Sequence, residues 1–81
     1  MKATVLVRPK PGILDPQGQA VSSSLRHLGF DVNEARVGKV VDVDLPTNDP
    51  AEARAQIESM CAQLLANPLI ESYEIEFRGH A

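Results

Sequence analysis

The segment Lys10-Pro11-Gly12-Ile13-Leu14-Asp15-Pro16-Gln17-Gly18 fixes where one kind of secondary structure stops and another begins. Pro11 locks one φ and Gly12 frees the next, a combination that punctuates a chain. Asp15 before Pro16 has the chemistry of a helix N-terminus. Its carboxylate can accept from the orphan N–H groups of the first turn, where a proline forfeits no bond. On the amino side, Ala3, Val5 and Val7 alternate with Lys2, Thr4, Leu6 and Arg8, a period of two that predicts a strand. On the carboxyl side the period changes. Val21, Leu25 and Leu28 form one stripe of a helix over 16–28, with Ala20 and Ser24 beside them. Gly29 suits a left-handed cap, and Phe30 can fold back on the last turn.

Residues 32–45 form a long strand-like segment. Its odd positions from Ala35 read Ala35, Val37, Lys39, Val41, Val43 and Leu45, and its even positions include Glu34, Arg36, Asp42 and Asp44. Val32 is out of phase, which predicts a bulge near Asn33. Gly38 marks either a bend or a hairpin that splits the segment. One long, bent strand is favoured, because no Asn-Gly or Asp-Gly pair supports a tight hairpin. A second helix starts with Asp49 as cap, Pro50 first and Glu52 completing a capping box. Ala53, Ile57, Met60, Cys61, Leu64 and Leu65 line one face of it, and Asn67-Pro68 stops it. Finally Tyr73, Ile75 and Phe77 alternate with Ser72, Glu74, Glu76 and Arg78 as a last strand.

The order β-α-β-α-β in 81 residues predicts one α+β domain spanning 1–81. It is expected to be a two-layer sandwich with both helices on one face of a small sheet. The opposite face then presents Thr4, Leu6 and Val40, apolar or nearly so. A chain this short gains stability by association, so those residues are the candidates for self-association into a homodimer or a dimer of dimers.

Charge and chemistry narrow the function classes. The net charge of −3 argues against nucleic acid. It is divided unevenly: residues 1–39 carry six basic and three acidic side chains, whereas residues 40–81 carry two basic and eight acidic. No run approaches the roughly 18 apolar residues of a membrane span. The amino terminus has no signal-peptide core, and the single Cys61 cannot form an internal disulfide, so a soluble, cytoplasmic chain is expected. Cys61 reads as a core hydrophobe between Met60 and Leu64. His27 reads as a cation near a helix C-terminus, and His80 lies in a tail expected to fray. Ser22-Ser23-Ser24 lacks a histidine base. Gly38-Lys39 lacks the rest of a phosphate loop, and Asp42 and Asp44 read as hydrated. No metal-ligand spacing occurs. An RNA-recognition domain would need aromatic side chains on its sheet, and this chain has too few. The residues therefore predict no catalytic, cofactor or metal site in the chain itself.

The combination K-P-G-x-L-D-P-Q-G, then Leu28-Gly29-Phe30, Arg36-Val37-Gly38-Lys39 and Leu64-Leu65-Ala66-Asn67-Pro68, resembles the PurS family, the small subunit of phosphoribosylformylglycinamidine synthase in purine biosynthesis. The resemblance runs from about Val5 to Phe77. It implies an accessory, non-catalytic subunit of a carbon–nitrogen ligase complex. In such complexes a glutaminase subunit releases ammonia from glutamine. A large synthetase subunit uses ATP and magnesium to activate the formamide oxygen of formylglycinamide ribonucleotide, which ammonia displaces to give the amidine. The small subunit is thought to bridge the two and help retain ammonia.

Positions that match the family pattern are Lys10, Pro11, Gly12, Asp15, Pro16, Gly18, Gly29, Phe30, Arg36, Gly38, Lys39, Asn67 and Pro68. Of these, Lys10, Pro11, Gly12, Asp15, Arg36, Gly38 and Lys39 are the candidates for contact with partner subunits. Lys10, Arg36 and Lys39 are expected to meet an acidic surface. The alternative reading is a small dimeric regulatory domain that binds a metabolite anion at the Pro11-Gly12 loop and the Asp15-Pro16 helix start.

Overall fold

The strand with the most uniformly apolar inward positions takes the centre of the sheet. In the computed structural model, which describes residues 1–78, β1 (Lys2–Pro9) lies between β2 (Lys39–Asp44) and β3 (Glu71–Arg78). Both neighbours are antiparallel to it. The register sets Val5 opposite Val41 on one side and Ile75 on the other, and Ala3 opposite Val43 and Phe77. Directly opposite residues share a sheet face, so one face is apolar except at its margin, where Lys39 stands opposite Val7. The reading of Gly79-His80-Ala81 as a frayed tail lies outside the described residues.

That apolar face is covered by α2 (Pro50–Met60). Ala53, Ile57 and Cys61, spaced by four, join Ala3, Val5, Val7, Leu45 and Ala66 in one buried core. Burial of a side chain such as Ile57 is worth about 1.5–3 kcal/mol. Arg54 lies 5.1 Å from the centroid of the Phe77 ring and shields the β3 margin. At the start of α2, Asp49 Oδ1 accepts from the Ala51 N–H (3.0 Å), as a cap should. The capping box differs from expectation in one partner. Thr47 Oγ1 accepts from the Asp49 N–H and its hydroxyl donates to Glu52 Oε2, so Glu52 is engaged one step removed from the backbone.

The end of this helix departs from the predicted stripe. Cys61–Leu65 form a π-helical turn, closed by the Ala66 N–H on the Cys61 carbonyl at 3.1 Å. A π turn takes in one more residue than an α turn. Cys61 therefore stays in the core while Leu64, expected beside it, is 82% exposed. Asn67-Pro68 ends the helix as expected, and the Asn67 carbonyl accepts from the N–H groups of Ile70 and Glu71.

The α+β class, the element order and the layering of helix on sheet stand, with α1 (Pro16–His27) placed apart from the core. Its C-terminus has the predicted cap. Gly29 has φ +98°, its N–H donates to the Arg26 carbonyl, and the Phe30 N–H donates to the Leu25 carbonyl. Its predicted inward stripe is corrected. Gly18 and Ser22 are the buried residues of α1, whereas Val21 and Leu28 are exposed. The cause is the partner that α1 has: it packs on residues 32–37 of its own chain, not on the sheet. Ser22 Oγ accepts from the Ala35 N–H (2.8 Å), and a Cβ on Gly18 would stand 2.4 Å from the Ala35 carbonyl oxygen.

The single long strand over 32–45 is likewise corrected. Only Lys39–Asp44 joins the ladder, and the bulge near Asn33 has no ladder to interrupt. Residues 34–38 run to α1 because their donors go there, and Gly38 is the junction. A Cβ on Gly38 would lie 2.2 Å from the Val7 carbonyl oxygen, so only glycine lets the segment enter beside β1.

Candidate functional site: the loop between β1 and α1

Residues 10–15 are bonded to three other segments: the end of the second helix, the first turn of α1 and residues 36–37. The Lys10 N–H donates to the Ile70 carbonyl (2.9 Å), and Lys10 Nζ donates to the Pro68 carbonyl (2.7 Å), tying the loop to the end of the second helix. Gly12, at φ +83°, makes the reversal, and the Ile13 N–H returns to the Lys10 carbonyl at 3.2 Å. Arg36 reaches across from the segment before β2. Its Nη2 donates to the carbonyls of Lys10 (3.0 Å) and Ile13 (3.2 Å), and its Nη1 to Glu34 Oε1 (3.2 Å). The planar fork of a guanidinium suits this multiple capture of oxygens.

Asp15 is the hinge pin between loop, helix and segment. Oδ1 accepts from the Gly18 N–H (3.0 Å) and Oδ2 from the Val37 N–H (2.8 Å), with Arg36 Nε 3.7 Å from Oδ2. The Val37 N–H, then the Gly18 N–H and then the Arg36 charge hold its carboxyl below the ordinary value, against an opposing effect of burial. Proline at the first helical position and glycine at Gly18 complete the geometry, since a Cβ on Gly18 would also collide with the Asp15 carboxylate.

The scattered candidate positions Lys10, Gly12, Asp15 and Arg36 are thus one bonded cluster, with Asn67-Pro68 attached. Pro11 and Leu14 form its exposed tip. Gly38 sits apart at the strand junction. Lys39 is exposed beyond it, opposite Val7, and its side chain makes no hydrogen bond or ion pair among the described residues. Arg26 was not singled out from the sequence, yet its Nε and Nη2 donate to the carbonyls of Val32 and Asn33 (both 2.9 Å). The only signal was a cation in the last turn of α1. Ser22 had a weaker one, its place in the mid-helix run of small residues Ser22-Ser23-Ser24.

A groove of about 600 Å³ runs between the loop, α1 and residues 33–36, lined by Asp15, Gln19, Ser22, Arg26, Glu34 and Arg36. Its guanidinium groups are bound to the chain's own carbonyls, and the Asp15 carboxylate occupies the helix N-terminus. The anion site of the regulatory reading is therefore filled from within. On the outer sheet face, Thr4 is 3% exposed, with its hydroxyl donated to Asp42 Oδ1 (2.7 Å). Leu6 is half-buried and Val40 stands out to solvent. Cys61 is a buried thiol whose pKa is pushed up by burial and by Glu58. Among the described residues no three His, Cys, Asp or Glu side chains are grouped to hold a metal ion, and no helix is long and apolar enough to cross a membrane.

The cluster coincides with the motif positions, and the match to a family model covers residues 2–79; that model is described as PurS, phosphoribosylformylglycinamidine (FGAM) synthase. The chain belongs to the PurS family. A PurS subunit of phosphoribosylformylglycinamidine synthase from Synechocystis sp. is 45% identical over 73 residues, covering 89% of this chain and 73% of the relative. The crystal structure of Methanocaldococcus jannaschii PurS, one of the subunits of formylglycinamide ribonucleotide amidotransferase, superposes with a TM-score of 0.85 at 36% identity. It covers 99% of this chain and 98% of that one. A chain in the structure of PurLQS from Thermotoga maritima superposes with a TM-score of 0.83 at 28% identity, over 93% of both chains.

Proposed function

We infer that this PurS chain is an accessory subunit of a phosphoribosylformylglycinamidine synthase, a carbon–nitrogen ligase complex with glutamine as amide donor. It bridges the glutaminase and synthetase subunits. The observation that carries the reading is what the motif residues do. Lys10, Asp15, Arg36 and Asn67-Pro68 build a rigid loop of fixed shape, and a rigid loop that presents Pro11, Gly12 and Leu14 suits recognition of a protein surface.

The chemistry is then the partners' work. The glutaminase releases ammonia, and the synthetase uses ATP and magnesium to activate the formamide oxygen that ammonia displaces. This subunit helps keep ammonia from water between the two sites. Its place in purine biosynthesis is the cytoplasm, where it acts as one domain and as a homo-oligomer, a dimer or tetramer. Of the three cations expected at an acidic partner surface, Lys10 and Arg36 serve the loop, which leaves Lys39 for direct contact. Reconstitution tests the reading. Purified synthetase and glutaminase subunits are assayed with and without this chain, with glutamine or with ammonia as nitrogen source. Stimulation confined to the glutamine reaction is expected. Equal turnover with and without the chain would refute the bridging role.

A further inference from the structure

Every residue of the hydrophobic core, and every half-buried apolar side chain packed on it, lies outside positions 8–40. Residues 15–37, which include α1, therefore form an arm that has no share in the core of the slab built by β1, β2, α2 and β3. The shape of the chain agrees. A compact body of 81 residues has a radius of gyration of about 12 Å; this chain has 15.9 Å and measures 48 × 30 × 14 Å. The polar bonds divide in the same way. Ser22 with Ala35, Arg26 with Val32 and Asn33, and Asp15 with Gly18 and Val37 are internal to the arm. The Lys10 N–H and Nζ are tied to the slab, on the Ile70 and Pro68 carbonyls. Among the described residues one side chain spans the gap. Arg36, in the arm, donates through Nη2 to the carbonyls of Lys10 (3.0 Å) and Ile13 (3.2 Å).

We propose that the arm is a hinged rigid body, with Gly12 and Gly38 as its hinge and Arg36 as the latch that sets its angle to the slab. The backbone crosses between the two bodies at those glycines. Gly12 sits at φ +83° in open space. Gly38 borders a cleft of about 270 Å³ lined by Arg8, Pro9, Arg36 and Lys39, which leaves room for the arm to turn. Hinges are a few such loop or terminal residues that absorb a change of φ and ψ. With Arg36 in place the loop keeps one shape. Once its guanidinium leaves Lys10 and Ile13, no core contact has to separate, and the arm turns with its internal bonds intact. A carboxylate is the chemistry that draws the latch off, because a charged acceptor holds a guanidinium more strongly than a neutral carbonyl does. The use of an adjustable angle, to fit one subunit between two others, rests on the bridging reading above. The hinge itself is tested on the chain alone, so the two fail separately.

Residual dipolar couplings of the backbone amides test it, since one rigid body, whether a single chain or a symmetric assembly, fits one alignment tensor. In the unaltered chain the couplings of α1 and of the three strands should fit one tensor. In Arg36→Gln they should need two, with the order of α1 reduced by about half. The Ala35 and Val37 amides, bonded within the arm, should keep their exchange protection to within about threefold in that variant. Relaxation dispersion on the unaltered chain should show microsecond-to-millisecond exchange at Gly12, Ile13, Val37 and Gly38 and none within β1, and this readout stands even where the variant misfolds. A single tensor in Arg36→Gln, loss of the Ala35 and Val37 protection there, or the absence of exchange at Gly12 and Gly38 in the unaltered chain would overturn the proposal.

Discussion

The Asp15 carboxylate accepts from the Val37 N–H at 2.8 Å, and this one bond joins the start of α1 to a segment twenty-two residues later. With Oδ1 on the Gly18 N–H, both oxygens are engaged by backbone donors. A side chain that the sequence marks as a local cap is therefore also a tertiary clamp. That dual engagement explains why the loop keeps its shape although its tip is exposed.

The clamp makes stability depend on acid. The folded-state pKa of Asp15 lies below its ordinary 3.8, so the unfolded chain binds the proton first. The stabilisation is then fully present above the unfolded value and is lost as pH falls through the folded one. Melting temperature should drop as pH falls below the ordinary carboxylate value of 3.8 in the unaltered chain. Asp15→Asn should melt lower at neutral pH and lose part of this acid dependence. An identical pH profile in the two chains would refute the clamp.

Gly18 and Gly29 are both needed, for different reasons. Gly29→Ala places a Cβ in open space but at φ +98°, a strain of about 1 kcal/mol. Gly18→Ala drives a Cβ to within 2.4 Å of the Ala35 oxygen and of Asp15 Oδ2, and should destabilise by about 1–3 kcal/mol. Chemical denaturation should rank Gly18→Ala as the worse. Amide exchange at Val37 should rise with Gly18→Ala and stay unchanged with Gly29→Ala.

The π turn separates two leucine-like positions that a helical stripe treats alike. Ile57→Ala should destabilise by about 2–5 kcal/mol through cavity formation. Leu64→Ala should fall within about 0.5 kcal/mol of the parent. Urea unfolding of the two variants tests this directly, and equal losses would show that Leu64 belongs to the core.

Cys61 should behave as a protected thiol. It is 1% exposed and its pKa is raised by burial, so a thiol reagent at neutral pH should react at the rate of core opening. Reaction in denaturant should be at least about a hundredfold faster. Prompt labelling of the native chain would contradict the burial.

Lys39→Glu probes the partner surface without disturbing the loop. Assembly with the other subunits should weaken by about tenfold, with added salt narrowing the difference. Arg36→Glu should instead lower the melting temperature of the isolated chain, because it removes the donors to the Lys10 and Ile13 carbonyls. A melting temperature unchanged by Arg36→Glu would return Arg36 to the list of direct contacts.

Sequence alone determined whatever depends on neighbours close along the chain. The strand at β1, the Asp15 and Asp49 caps, the Gly29 stop and the Asn67-Pro68 stop all follow from φ preferences and hydrogen-bond geometry within a few residues. Alternation also identified Val5 and Val7 as core, and helical spacing identified Ile57. Tertiary structure decided where the donors and acceptors of residues 32–38 go. Their strand-like pattern fits a ladder equally well, and only the pull of Asp15, Ser22 and Arg26 takes them to α1. It likewise decided that the stripe of α1 faces outward and that Leu64 leaves the core. Periodicity reports which residues share a face, whereas what that face meets is settled by contacts between segments far apart in the chain.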